Sequence, residues 1–148
     1  MKNHSSLFTF HFSLLLAAFL FVGTTQVLAQ SKTEKRYAYT LKNLHLEKKT
    51  EAQFGPILKA YLNERKAAGD IYDNVKKKFK AAEKAGTITD AQAKQLFEAK
   101  LESETKELAA KKKYYPEFLK VLKPKKVWYA FDLANDKMTK IDGRDSDE

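Results

Sequence analysis

Two apolar rows with coiled-coil spacing run through most of this chain, and they leave it few ways to fold. From Glu51 to Ala85 the first row reads Phe54, Leu58, Tyr61, Ala68, Tyr72, Val75, Phe79 and Ala82, with Arg65 holding one place among them. The steps alternate between four and three, so every member lies on one side of a helix. The second row reads Ala93, Phe97, Leu101, Leu108, Tyr115, Phe118 and Leu122, with Glu104 and Lys111 as polar interruptions. Between them, Gly86 suits a helix end, and Thr89 with Gln92 has the pattern of a capping box opening the next helix. Helices joined by about three residues turn back antiparallel, each apolar row covered by its partner. The expected fold is all-α, built on a long antiparallel hairpin.

Counting outward from the turn brings Arg65 level with Glu104 and Leu108. We expect an Arg65–Glu104 contact that sets the register, or else two charged heads reaching separately into water. Shorter helices flank the hairpin. One runs from Thr33 to about Lys42 and carries Tyr37 and Leu41, with Leu44 beyond it; a last one begins at Pro124 and passes Val127, Trp128, Phe131 and Met138. Pro56 is harmless if its helix starts near Gln53 and bends it if the start is near Glu47, while Pro116 should kink the second seam. The five glycines read as punctuation or as part of the leader. Such pieces make a long, bent, thin object, which predicts a cradle-like homodimer of crossed hairpins.

Residues 1–29 have the form of a cleavable export signal: a basic start, an apolar run from Leu7 to Val22, and Val27-Leu28-Ala29 ahead of a cut before Gln30. The sixteen residues of that run, interrupted by His11 and Ser13, fall short of the roughly 20 that a spanning helix needs. Removing residues 1–29 from the 148 leaves 119, one domain over residues 30–141 followed by an acidic tail, 142–148, expected to be disordered. Losing Lys2 takes the formal net charge from +9 to +8. In the periplasm such a charge meets acidic proteins, polyanions and, weakly, anionic membrane surfaces, not nucleic acid; the lysines also serve simply to keep long helices soluble.

Chemistry is sparse. No Cys is present, and His45 is the one His beyond the leader, so neither a Cys/His nor a Ser/His/Asp arrangement can be assembled. Glu98, Glu102, Glu104 and Glu107 alternate with Lys100 and Lys106 as charge pairs along a helix, and no Gly-rich phosphate loop occurs. His45 and Met138 alone are too few for a transition-metal site. The reading is of a protein that is not an enzyme and has neither cofactor nor metal.

Lysines do interleave with aromatic rings, in three patches: Lys76, Lys77, Lys78, Phe79 and Lys80; Lys111, Lys112, Lys113, Tyr114 and Tyr115; Lys125, Lys126, Trp128 and Tyr129. These are the candidate binding residues. Phe79, Tyr115 and Trp128 read equally as core, whereas Tyr114 and Tyr129 fall off the main rows and should be exposed.

The arrangement resembles the Spy and CpxP group of periplasmic proteins. The resemblance rests on Leu44-His45-Leu46 with Phe54 and Pro56, on Ile88-Thr89-Asp90-Ala91-Gln92, and on Tyr115 through Pro124 leading to Val127 and Phe131. The group's Leu-Thr-x-x-Gln pentapeptide is degenerate at Leu46–Thr50 and at Leu122–Lys126, and its near-copy Ile88–Gln92 sits at the turn. The resemblance implies a dimeric, ATP-independent chaperone that holds unfolded or aggregation-prone envelope proteins, or an adaptor that restrains the periplasmic domain of a sensor kinase.

Overall fold

A computed structural model describes residues 31–142; the expected export signal over residues 1–29 and all but the first residue of the expected acidic tail lie outside the described residues. Four helices carry the fold: α1 (Lys32–Leu44), α2 (Lys48–Ala85), α3 (Asp90–Leu119) and α4 (Pro124–Asn135), followed by the single turn α5 (Met138–Ile141). The protein is all-α, and α2 packs along α3 as an antiparallel hairpin.

Local chemistry sets the boundaries. Ser31 caps α1 by accepting the Glu34 amide at 3.2 Å. Gly86 ends α2 at φ +67°, a left-handed conformation that costs a residue with a Cβ about 1 kcal/mol. The amides of Gly86 and Thr87 turn back onto Glu83 and Ala82. Thr89 and Gln92 close the expected capping box, the Gln92 amide donating to Thr89 Oγ1 at 3.3 Å and the Thr89 amide to Gln92 Oε1 at 3.1 Å. Pro124 occupies the first turn of α4, where a missing N–H is harmless.

Both long helices run through their prolines. α2 starts at Lys48, so Pro56 is internal and withholds the donor that the Ala52 carbonyl would receive; Pro116 does the same to Lys112, and α3 ends one turn later. Gly55 and Gly69, expected as punctuation, are both inside α2. At Gly55 the reason is close packing, since a Cβ there would lie 2.7 Å from the Tyr37 hydroxyl oxygen.

The core gathers Leu41 and Leu44 of α1, Phe54, Leu58, Tyr61 and Leu62 of α2, Ala110 and Phe118 of α3, and Leu122, Val127, Ala130 and Ala134 around α4. No member of this cluster lies between Leu62 and Ala110. In that outer arm, the buried described residues are Ala68, Phe79, Ala99 and Ser103, mostly small side chains.

Tyr61 is fully enclosed, its hydroxyl has no hydrogen-bond partner among the described residues, and burial raises the pKa of the phenol. A buried polar group without a partner stabilises nothing, so Tyr61→Phe should be at least as stable as the parent at neutral pH. The sign with pH follows from the raised value. The buried phenol resists ionisation, so stability is unaffected below about pH 10, where the unfolded-state phenol begins to ionise, and falls as pH rises from there through the folded-state value. Urea midpoints at pH 8 and at alkaline pH should therefore fall further for the parent than for Tyr61→Phe, and an equal fall would contradict this.

The register contact differs from the expected one. Arg65 does not meet Glu104. Its Nη1 donates to the Ala134 carbonyl at 2.5 Å, and its Nε lies 3.5 Å from a Glu107 carboxylate oxygen, close enough for attraction but without hydrogen-bond geometry. Arg36 grips the same helix end, donating to the carbonyls of Ala134 at 2.6 Å and Asp136 at 2.7 Å. The C-terminus of α4, rich in unpaired carbonyls, draws both guanidiniums to itself. Glu104 stays outside, paired at 4.0 Å with Lys100 on its own helix. Asp142, the first residue of the acidic tail, is held by Lys35 at 2.8 Å.

Candidate functional site

The second apolar row does not face α2. Phe97, Leu101, Leu108 and Tyr115 are all largely exposed, Phe97 at 63%. What α3 buries against its partner is Ala99, Ser103 and Ala110, with Glu107 and Tyr114 half-buried between and below them. The inward positions Ala99, Ser103, Glu107, Ala110, Tyr114 and Phe118 advance mostly by four, whereas the apolar row advances by three and a half. At about 100° per residue, Phe97 and Leu101 stand roughly 200° from Ala99 and Ser103, nearly opposite α2, and the two rows converge only at Phe118. Phe118 decides which row wins. It is buried among Phe54, Tyr61 and Phe131, at ring separations of 4.8, 5.7 and 4.8 Å, and this fixes the rotation of α3 at its base. Small residues then line the arm, where they let the two backbones approach.

The three lysine-aromatic patches divide accordingly. In the first, Phe79 is buried in the arm, which removes it as a contact residue; Lys76, Lys77, Lys78 and Lys80 are exposed, with Lys78 5.4 Å above the Phe79 ring. In the second, Tyr114 is not the exposed ring expected, because it packs edge-on against Tyr61 at 5.8 Å and so belongs to the margin of the core. Lys113 covers that ring at 5.2 Å and bonds Glu64 at 2.6 Å, holding the Glu64 carboxyl below its usual pKa. Both partners are largely exposed, so water screens the pair and it adds little to stability. Tyr115 points outward, with Lys112 exposed and Lys111 half-buried beside it.

In the third patch Trp128 and Tyr129 are both exposed and lie edge to face at 5.0 Å. Lys125 is free to meet a ligand beside them, but Lys126 turns inward and donates to the Leu44 carbonyl, closing the end of α1. The residues left available are thus Tyr115, Trp128, Tyr129 and the surrounding lysines. Phe97, Leu101 and Leu108, taken from the sequence as core, join them.

Among the described residues, no three His, Cys, Asp or Glu side chains gather as a metal site would require, and no helix is long and apolar enough to cross a membrane. The arrangement supplies apolar contact and positive charge. Set beside known proteins, the chain matches no family model, no curated protein and no solved structure.

Proposed function

We propose that this protein is an ATP-independent holding chaperone of the bacterial periplasm, which binds unfolded or aggregation-prone envelope proteins before they associate with one another. The observation that carries the reading is the open row Phe97, Leu101, Leu108 and Tyr115, flanked by Lys94, Lys100, Lys111 and Lys112. Of these, Lys94 and Lys100 lie at 3.8 and 4.0 Å from Glu98 and Glu104, while Lys111 and Lys112 leave a positive excess. Soluble proteins seldom leave an apolar face of this extent uncovered unless something docks there. Positive charge draws acidic chains in at long range, and apolar burial, at about 25 cal/mol per Å², then holds them without selecting a sequence. The form of the first 29 residues supports the periplasmic setting, and the resemblance to the Spy and CpxP group supports the activity.

The test is light scattering from a chemically unfolded acidic client. Near-stoichiometric protein should suppress it without nucleotide, and Leu101→Ser with Leu108→Ser should need several-fold more protein while keeping its helical circular dichroism. Absence of suppression with several such clients would reject the reading. The compact Trp128–Tyr129 pair favours a second one, an adaptor on one folded partner such as a sensor kinase's periplasmic domain, because a few clustered rings dominate specific interfaces. Capture from a periplasmic extract separates the two by returning one partner or many.

A further inference from the structure

A cleft of about 350 Å³ lies where the first turn of α1 meets the middle of α2, with Glu107 reaching in from α3. Five basic and three acidic side chains line it, so its field favours an anion. One end is crowded with positive charge that the fold does not spend. Arg36 and Arg65 donate to the same oxygen, the Ala134 carbonyl, at 2.6 and 2.5 Å. Glu107, the carboxylate beside them in the cleft, approaches Arg65 at 3.5 Å without hydrogen-bond geometry. Asp136, also nearby, is taken by the Tyr39 hydroxyl and by Lys140, each at 2.9 Å. Arg65 Nε is enclosed and has no acceptor among the described residues, and a buried donor left so marks a place where a water or an ion completes the structure. The Arg36 pKa is lowered, by burial and then by the charge of Arg65, as expected of like charges held together without a counter-ion.

The rest of the cleft is prepared in the same sense. Lys66 is paired with Asp70 at 2.5 Å, whereas Lys32 and Lys77 have no partner among the described residues. Lys32 and Thr33 stand in the first turn of α1, whose dipole presents its positive end there. Gly69 keeps the wall of α2 open, since a Cβ at that position would have only Glu107 Oε1 within 4 Å, at 3.8 Å.

We propose that this cleft binds a small organic anion, with a carboxylate or phosphate group seated at Arg36 and Arg65 and the rest of the molecule reaching toward Lys32 and Lys77. Guanidiniums suit two-pronged contact with either oxyanion. The volume is at the small end for ligand pockets, which suits a metabolite-sized molecule and not a length of chain. The cleft shares no residue with the open apolar row of α3, so its occupancy stands apart from the holding function.

Calorimetric titration with inorganic phosphate and with citrate, at constant ionic strength set by sodium chloride, tests this. At least one of the two should bind saturably, and saturation should raise the urea midpoint, because a ligand held only by the folded chain stabilises it. The tighter binder identifies the preferred oxyanion. Lys32→Gln should weaken binding about tenfold, the loss of one charged contact. Lys59→Gln, the same change on an exposed lysine of α2 outside the cleft, should leave binding unaltered. Glu107→Gln should tighten it several-fold by withdrawing the acid that faces the incoming anion. Gly69→Leu should abolish binding and keep the helical circular dichroism, since leucine favours a helix over glycine and its side chain would fill the cleft.

No saturable binding of either anion would overturn the proposal. Equal weakening by Lys32→Gln and Lys59→Gln would overturn it too, by showing only diffuse attraction to a basic surface. Should Gly69→Leu unfold the chain, the two lysine variants and Glu107→Gln still decide.

Discussion

Phe118→Ala should lower the free energy of unfolding by about 4 kcal/mol, read as a fall in the urea midpoint with little change in slope. Its ring is fully enclosed, edge-on to Phe54 and Tyr61 and stacked on Phe131 at 20° between planes. Three helices meet on that one side chain. An alanine leaves a cavity that none of them can fill alone, because each is also fixed by the other two. Domains of this size are stable by about 5–15 kcal/mol, so the loss takes a large share of the total. Leu108→Ala is the control from the same helix. Its side chain is half in water, and in dilute solution it should cost under about 0.5 kcal/mol. Similar losses from the two variants would mean that α3 is rotated to put its apolar row inside.

Arg65→Ala should cost about 2 kcal/mol, while Glu107→Gln should cost well under 1 kcal/mol. The guanidinium donates a charged hydrogen bond to the Ala134 carbonyl at 2.5 Å, whereas its Nε approaches Glu107 at 3.5 Å without bonding geometry, both side chains still partly in water. The carbonyl, not the carboxylate, carries the interaction. Arg36 holds the same carbonyl, and its own pKa is lowered by burial and then by the charge of Arg65. Each arginine thus tolerates the other's charge in order to close the end of α4. Arg65→Lys should fall between the parent and the alanine variant, since an ammonium can still donate to a carbonyl but lacks the reach and planar geometry of the guanidinium. A double-mutant cycle between Arg65 and Glu107 gives the decisive number. A coupling near 2 kcal/mol would show that the ion pair, and not the cap, is the source.

The hairpin was legible because its signals are local. Gly86, Thr89 and Gln92 act within a few residues of one another, and the Phe54-to-Ala82 row has no competitor on α2. On α3 two rows competed, a bulky apolar one and a small one through Ala99, Ser103 and Ala110. Hydropathy favours the first, and close backbone approach favours the second. The candidate site inherits that ambiguity. Phe97, Leu101 and Leu108 read as core because they are large and regularly spaced, and Tyr114 read as exposed because it falls off that spacing. The signal that could have found the site was the row of small residues on the opposite side of the same helix.

Sequence alone determined the helical class, the position of the turn, the caps at Thr89 and Pro124, and the net positive charge. All of these depend on residues that lie close together in the chain. Tertiary structure alone decided which side of α3 faces inward, that Arg65 bonds the end of α4 in place of Glu104, and that Lys126 closes α1 while Lys125 stays in water. Those outcomes turn on which groups meet across separations of tens of residues, where the enclosure of one ring, Phe118, outweighs the pattern of the twenty residues before it.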